Sequence, residues 1–303
     1  MNTENPPCGV EERAPVPDGR EFVESVVLEE FPAELTGGVD LAPLDGRIAM
    51  TTDSFAASPL FFPGGDLGDL AVNGTVNDLA ASGAVPRHLV ARLVVEDGFT
   101  IGGLRRVARS MGAAATGAGV RITSGGGAVV ARGEVDGCRI DTTGVGTFTG
   151  ARRLGASRAR PGDAVLVTGP VGDHGIAVLL RQDSQVAGHV SDTAALHGLL
   201  HEVLAAAPGV RVLRNATRGG IAAVLDEISR ASGVAVALDE DAVPVRARVR
   251  AAAELLDIDP LRVACEGRAV AVVDAAQADV ALAAMRAHPL GERAAIIGRI
   301  EVG

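Results

Sequence analysis

The sequence predicts two α+β or α/β domains of similar size. Strands and helices alternate irregularly in both halves, 303 residues exceed one ordinary domain, and a stretch rich in Arg, Ala and Gly separates the halves at 149–163. Apolar residues make up 47% and charged residues 22%, a balance that builds a core and argues against disorder. Only 2% are aromatic, so that core rests on Ala, Val, Leu and Ile.

Residues 1–45 read as an irregular arm with four early prolines, followed by a helix at 21–31 that Pro32 ends. The first domain is expected over 46–150. A short strand closes at Asp53, a helix spans 66–82 and stops at Gly83, and a strand covers 89–95. A second amphipathic helix at 101–117 follows, then apolar runs on either side of the triplet Gly125-Gly126-Gly127, and a strand at 140–148. The second domain is expected over 160–303. It opens with a buried strand at 164–168 and a Gly-rich turn at 169–174 that starts a helix. Helices are predicted at 194–207, 221–231, 249–256 and 276–287, with strands at 234–238, 270–273 and 294–300.

Composition excludes several functions. With no Trp, no Tyr and a net charge of −10, the chain lacks both stacking platforms and excess cation for nucleic acid. All 28 basic residues are Arg, which rules out a P-loop lysine, a Schiff-base lysine or a lysine base. Cys8, Cys138 and Cys265 lie far apart, without zinc-ligand spacing, and read as reduced thiols. The polar start and the lack of an apolar run of about 18 residues lead us to expect a soluble, cytoplasmic protein without membrane contact.

Several residues suit chemistry. Asp53 at a strand end and Asp78 on a helix are the pair of carboxylates that a hard cation such as magnesium takes; either alone serves equally as a cap or a solvated surface group. The glycine triplet offers backbone amides to a phosphate, or forms a plain loop. The turn 169–175 offers similar amides, and His174 within it reads first as structural. Thr217-Arg218-Gly219-Gly220 combines a guanidinium with helix-start amides, a fit for phosphate or carboxylate. Glu266, just before a strand, is a candidate partly buried acid. Unaided, these fragments point to an anionic small-molecule ligand.

Five phrases together resemble the HypE family of hydrogenase maturation carbamoyl dehydratases: TTDSFAASPLFFPGGDLGDLAVNGTVNDLAASGAVPRHL (51–89), GPVGDHGIAVL (169–179), ATRGGIAAVLDEISRASGVAVALDEDAVPV (216–245), LDIDPLRVACEGRAVAVV (256–273) and HPLGERAAIIGRI (288–300). The resemblance implies a PurM-like architecture of the aminoimidazole ribonucleotide synthetase superfamily. In it, an N-terminal domain dimerises through its sheet, and an ATP–magnesium cleft separates it from a C-terminal α/β domain. It also implies ATP-dependent phosphorylation of an amide oxygen followed by loss of phosphate, with a carbamoyltransferase-type partner. HypE proteins act on a thiocarboxamide carried by their own C-terminal cysteine. Asp53 and Asp78 then resemble the metal-binding acids, with Asn77 beside them on the nucleotide. Asp78 and Glu266 resemble the catalytic polar residues, and Thr217, Arg218 and Gly219 the ligand-facing helix start.

The departures are specific. The family's N-terminal phosphate clamp has no counterpart, Gly126 and Ala128 stand where the pattern has Asp and Lys, Asn215 replaces Asp, and Cys265 replaces Asn. The sequence given ends at Val302-Gly303 without Pro-Arg-Ile-Cys. We therefore expect weakened ATP and magnesium binding in a divergent HypE-like homodimer. It would have lost the self-thiocarboxamide reaction and been recruited to another small molecule in a specialised biosynthetic pathway. Two alternatives stand beside this: a catalytically silent paralogue that serves as a binding or partner subunit, and an authentic HypE lacking its tail.

Overall fold

The computed structural model of the chain describes residues 47–149, 154–180 and 188–303. The expected arm, the helix at 21–31 and Cys8 lie outside these residues. The N-terminal half contains β1 (Arg47–Ala56), a small hairpin of β2 (Phe61–Phe62) and β3 (Gly65–Asp66), α1 (Leu67–Ala81), β4 (Val85–Glu96), α2 (Ile101–Ala118), β5 (Arg121–Val130) and β6 (Cys138–Phe148). Its main sheet runs β1-β6-β4-β5. Only β4 and β5 pair in parallel, and α2 supplies the crossover that a parallel pair needs.

Local chemistry starts and stops these helices. Asp66 accepts from the N–H groups of Gly68 and Asp69, and the Asp69 carboxylate takes the Asp66 N–H in return, forming a capping box for α1. Thr100 caps α2, and Gly119 ends it at φ 64°, where a side chain would be strained. The two helices bury one sheet face around Leu89, Val95, Leu104, Met111 and Ile140. The other face keeps Met50 70% and Ile48 49% exposed.

The C-terminal half contains β7 (Ala164–Val167), α3 (Asp173–Leu179), α4 (His197–Ala206), β8 (Val210–Asn215), α5 (Gly220–Ser232), β9 (Val234–Leu238), α6 (Ala247–Leu256), β10 (Ala269–Val273), α7 (Ala278–Ala287) and β11 (Ala295–Val302). Its antiparallel sheet has the order β8-β10-β7-β11-β9. Every residue of β7 and β10 is buried, because helices cover both faces; these strands therefore read as unbroken apolar runs. Leu199, Leu200 and Met285 pack one side of the sheet, and Ile221 and Ile228 the other. Ala80 and Ala81 of α1 join the first of these clusters, so α1 packs in the cores of both halves.

Four expectations change. β1 continues to Ala56, so Asp53 lies within the strand and not at its end. The glycine triplet is part of β5, in a bulge opposite Ala91 and Leu93, with Gly126 at φ 83°, and is not a plain loop. In the turn 169–174, the Val171 N–H is taken by the Pro244 carbonyl and the Gly172 N–H by the Cys265 sulfur, so neither awaits an anion. The helix predicted from 194 begins at His197, because the preceding residues bond across to α1.

Candidate functional site

A cavity of about 510 Å³ lies where the two halves meet. Its polar lining comes from separate stretches: Asp53 from β1, Asp78 from α1, His174 from α3, Thr217 and Arg218 from the β8–α5 turn, and Glu266 from the segment before β10. Phe55, Leu67, Leu70 and Val178 make its apolar wall. Gly219 and Gly220 sit at φ 79° and 61°, and a Cβ on Gly220 would collide with the Leu261 carbonyl. That close approach lets the turn carry Thr217 and Arg218 to the cavity.

Burial and neighbouring charge shape the acids. Desolvation raises Glu266 to about 8, the charges of Asp192, Asp53 and Asp78 push the same way, and Arg218 opposes them. Burial also raises Asp78, against hydrogen bonds from Asn215 and Thr51 that favour its ionised form. The Asn215 amide reaches the Asp78 carboxylate at 2.9 Å. His174 is driven down to about 4 by burial and stays neutral at neutral pH. Its Nδ1 bonds the Ser191 hydroxyl at 2.8 Å and its ring meets Phe62 edge-on at 5.2 Å.

Of the residues singled out in the sequence, Asp53, Asp78, Thr217, Arg218 and Glu266 converge on the cavity. Asn77 does not line it. It is buried and clamps the chain ahead of α4, donating to the Ala194 carbonyl at 2.9 Å and accepting from the Leu196 N–H at 2.6 Å. Gly219 shapes the turn without lining the cavity. His174, read from the sequence as structural, bonds Ser191 and packs on Phe62 and also lines the cavity; Asp192 is not among the residues the sequence singles out. A His within a Gly-rich strand-to-helix turn was the available signal for the first; nothing local marked the second.

Among the described residues no three His, Cys, Asp or Glu side chains stand together as a metal cage. Asp53 and Asp78 both line the cavity and the Asp53 charge adds to the rise of Asp78, so a magnesium ion, which typically takes one or two carboxylates plus nucleotide phosphate oxygens, would find suitable donors there.

With two α+β domains around an acidic cleft, the chain is an AIR synthase related protein by its match to both domains of that family. The N-terminal domain of that family matches residues 37–148 and its C-terminal domain residues 160–303. Carbamoyl dehydratase HypE of Cupriavidus necator is 50% identical over 260 residues, covering 85% of this chain and 74% of the relative. The chain belongs to the HypE family of carbamoyl dehydratases, and its fold is PurM-like. A crystal structure of the hydrogenase maturation protein HypE in complex with ATP superimposes with a TM-score of 0.87 at 41% identity, covering 93% of this chain and 86% of that one. HypE from a crystal structure of a HypE–HypF complex gives 0.82 at 41% identity, covering 93% of each chain. Among the described residues no helix is long and apolar enough to cross a membrane.

Proposed function

We propose that the interdomain cleft performs ATP-dependent dehydration of a primary carboxamide or thiocarboxamide, with metal and phosphate contacts weaker than the family pattern provides. The observation that supports this most is the convergence of Asp53, Asp78, Glu266 and Arg218 on one cavity, where burial pushes the Glu266 carboxyl up to about 8. An amide oxygen leaves only after it is activated, and ATP supplies that activation as a phosphoryl group. Removing the phosphorylated oxygen and two N–H protons leaves a nitrile or thiocyanate. Glu266, held in a buried setting near its pKa, accepts a proton from the amide nitrogen. Arg218 balances negative charge on the transferred phosphate. Asp53 and Asp78 would hold magnesium, whose charge would offset that of the phosphates. Neutral His174 offers its remaining ring nitrogen to a polar ligand group.

Gly126 and Ala128 carry neither the acid nor the cation of the family pattern, and Asn215 meets Asp78 with an amide. These replacements support a reading of attenuated chemistry. The HypE–HypF complex of a relative supports a carbamoyltransferase-type partner for this chain. The exposed outer face of the N-terminal sheet suits a homodimer.

Titration calorimetry with ATP and magnesium, paired with phosphate release in the presence of a carboxamide, tests the reading. We expect magnesium-dependent binding and slow turnover. Binding without turnover under any amide would favour a silent binding subunit; no binding at millimolar ATP would overturn the nucleotide assignment.

A further inference from the structure

Three polar residues on α1, spaced four apart and so on one helix face, bond to a single segment of the other half. The Thr193 hydroxyl donates to Asp69 at 3.1 Å and accepts from the Asn73 amide at 3.3 Å, and Asn77 takes the backbone of Ala194 and Leu196. The Ser191 N–H adds a bond to the Pro63 carbonyl at 2.8 Å. Segment 191–196 is thereby fastened to the N-terminal half along two turns of helix and the loop before it.

The same segment holds Glu266 from its other side. Asp192 Oδ1 accepts the Glu266 N–H at 3.0 Å. Its Oδ2, buried and without a hydrogen-bond partner, lies 3.6 Å from the Arg268 guanidinium, and the two side chains are 2% and 9% exposed. Arg268 in turn donates to the carbonyls of Pro170, Gly267 and Leu290. Gly267 completes the fit, because any Cβ there would run into the Asp192 carbonyl.

We propose that Asp192 is the positioning residue for Glu266, and that segment 191–196 is a clasp tying Glu266 to the helix that bears Asp78. The inference rests on the role given to Glu266 above. The backbone bond fixes the stretch of chain from which the Glu266 carboxyl reaches the cavity. A buried carboxylate with one oxygen that no hydrogen bond reaches is costly, and the Glu266 N–H and the Arg268 guanidinium beside Asp192 offset part of that cost.

The test uses the full chain with Asp192→Ala and Asp192→Asn, the latter keeping an acceptor for the Glu266 amide. Hydrogen exchange of the peptide spanning 264–268 and ATP-dependent phosphate release are measured on each. In Asp192→Ala we expect exchange at Glu266 to speed about tenfold, and kcat to fall about tenfold with KM for ATP changing less than about threefold. Exchange in α7 stays unchanged, and Asp192→Asn recovers most of both losses. Unchanged exchange at Glu266, equal kcat losses in the two variants, or a loss confined to KM would overturn the proposal. If Asp192→Ala fails to fold, Thr193→Val loosens the clasp at α1 alone. Faster exchange at Glu266 in that variant supports the proposal and unchanged exchange rejects it. A wild-type chain without ATP turnover sinks the functional reading, while the exchange measurements still decide the clasp.

Discussion

The Asn215 side-chain amide donates to the Asp78 carboxylate at 2.9 Å, joining the end of β8 to α1 across the boundary between the two halves. Its own Oδ1 is buried without a partner. An aspartate at 215 would set two carboxylates against each other unless a cation stood between them. Asn215→Asp is therefore expected to cost about 1–3 kcal/mol of stability without magnesium. Magnesium–ATP should restore that loss and bind more tightly than to the wild type. Urea unfolding with and without magnesium–ATP checks this, and a loss indifferent to magnesium–ATP would remove the cation from this pair.

Among the described residues that line the cavity, Arg218 is the only cationic side chain. Arg218→Ala is expected to weaken ATP binding by about 1.5–3 kcal/mol, the range for a hydrogen bond to a charged group. Asp53→Asn should instead abolish the magnesium dependence of binding. Calorimetry with and without magnesium separates the two effects.

The Glu266 carboxyl has its pKa raised from 4.5 to about 8 on folding, so the native state holds this proton more tightly than the unfolded chain. The resulting stabilisation is complete below about 4.5 and is lost as pH rises through about 8. Glu266→Gln removes that pH dependence. Relative to wild type its Tm should rise as pH goes from 5 to 9, by about 2–4 °C for each kcal/mol recovered. Turnover should fall at every pH. Parallel Tm curves for the two proteins would show that folding does not raise the Glu266 carboxyl.

Met50, Ile48 and Val90 are 70%, 49% and 39% exposed on the open face of the N-terminal sheet. Burying that face against a second copy is expected to give a dimer at micromolar concentration, and Met50→Arg should shift it to monomer without changing the Tm of the monomeric fold. Sedimentation analysis decides it. A wild-type monomer would leave the face for another partner.

Burial holds the Cys138 thiol up at about 12 and Cys265 well above its usual value, so neither is a nucleophile in the folded protein. Iodoacetamide labelling at pH 8 should leave both unmodified until denaturant is added. Native modification of Cys265 would mean that the segment carrying Glu266 opens.

Much of this protein is local and was therefore legible in its sequence. Asp66, Thr100, Gly119 and Gly233 start or stop helices through bonds and backbone conformations within a few residues of themselves. The unbroken apolar runs of β7 and β10 announce strands covered on both faces. Asp53 and Asp78 as candidate metal acids, Thr217 and Arg218 as a candidate anion site and Glu266 as a candidate buried acid were suggested by residue type, and the structure brings all five to one cavity. β8 escaped notice because Arg211 and Arg214 interrupt its apolar residues, and their charges are met by Asp163, Asp274 and Glu227 from elsewhere. Only tertiary structure decided the roles of Asn77, Asp192 and Asn215, and that the glycine triplet is a bulged strand. Asn77 finds Leu196 at 119 positions' remove, and Asp78 finds Asn215 at 137. A polar side chain has no period or cap to betray such a partner. Its function comes from which buried group lies opposite, and that is known only once both halves have packed around α1.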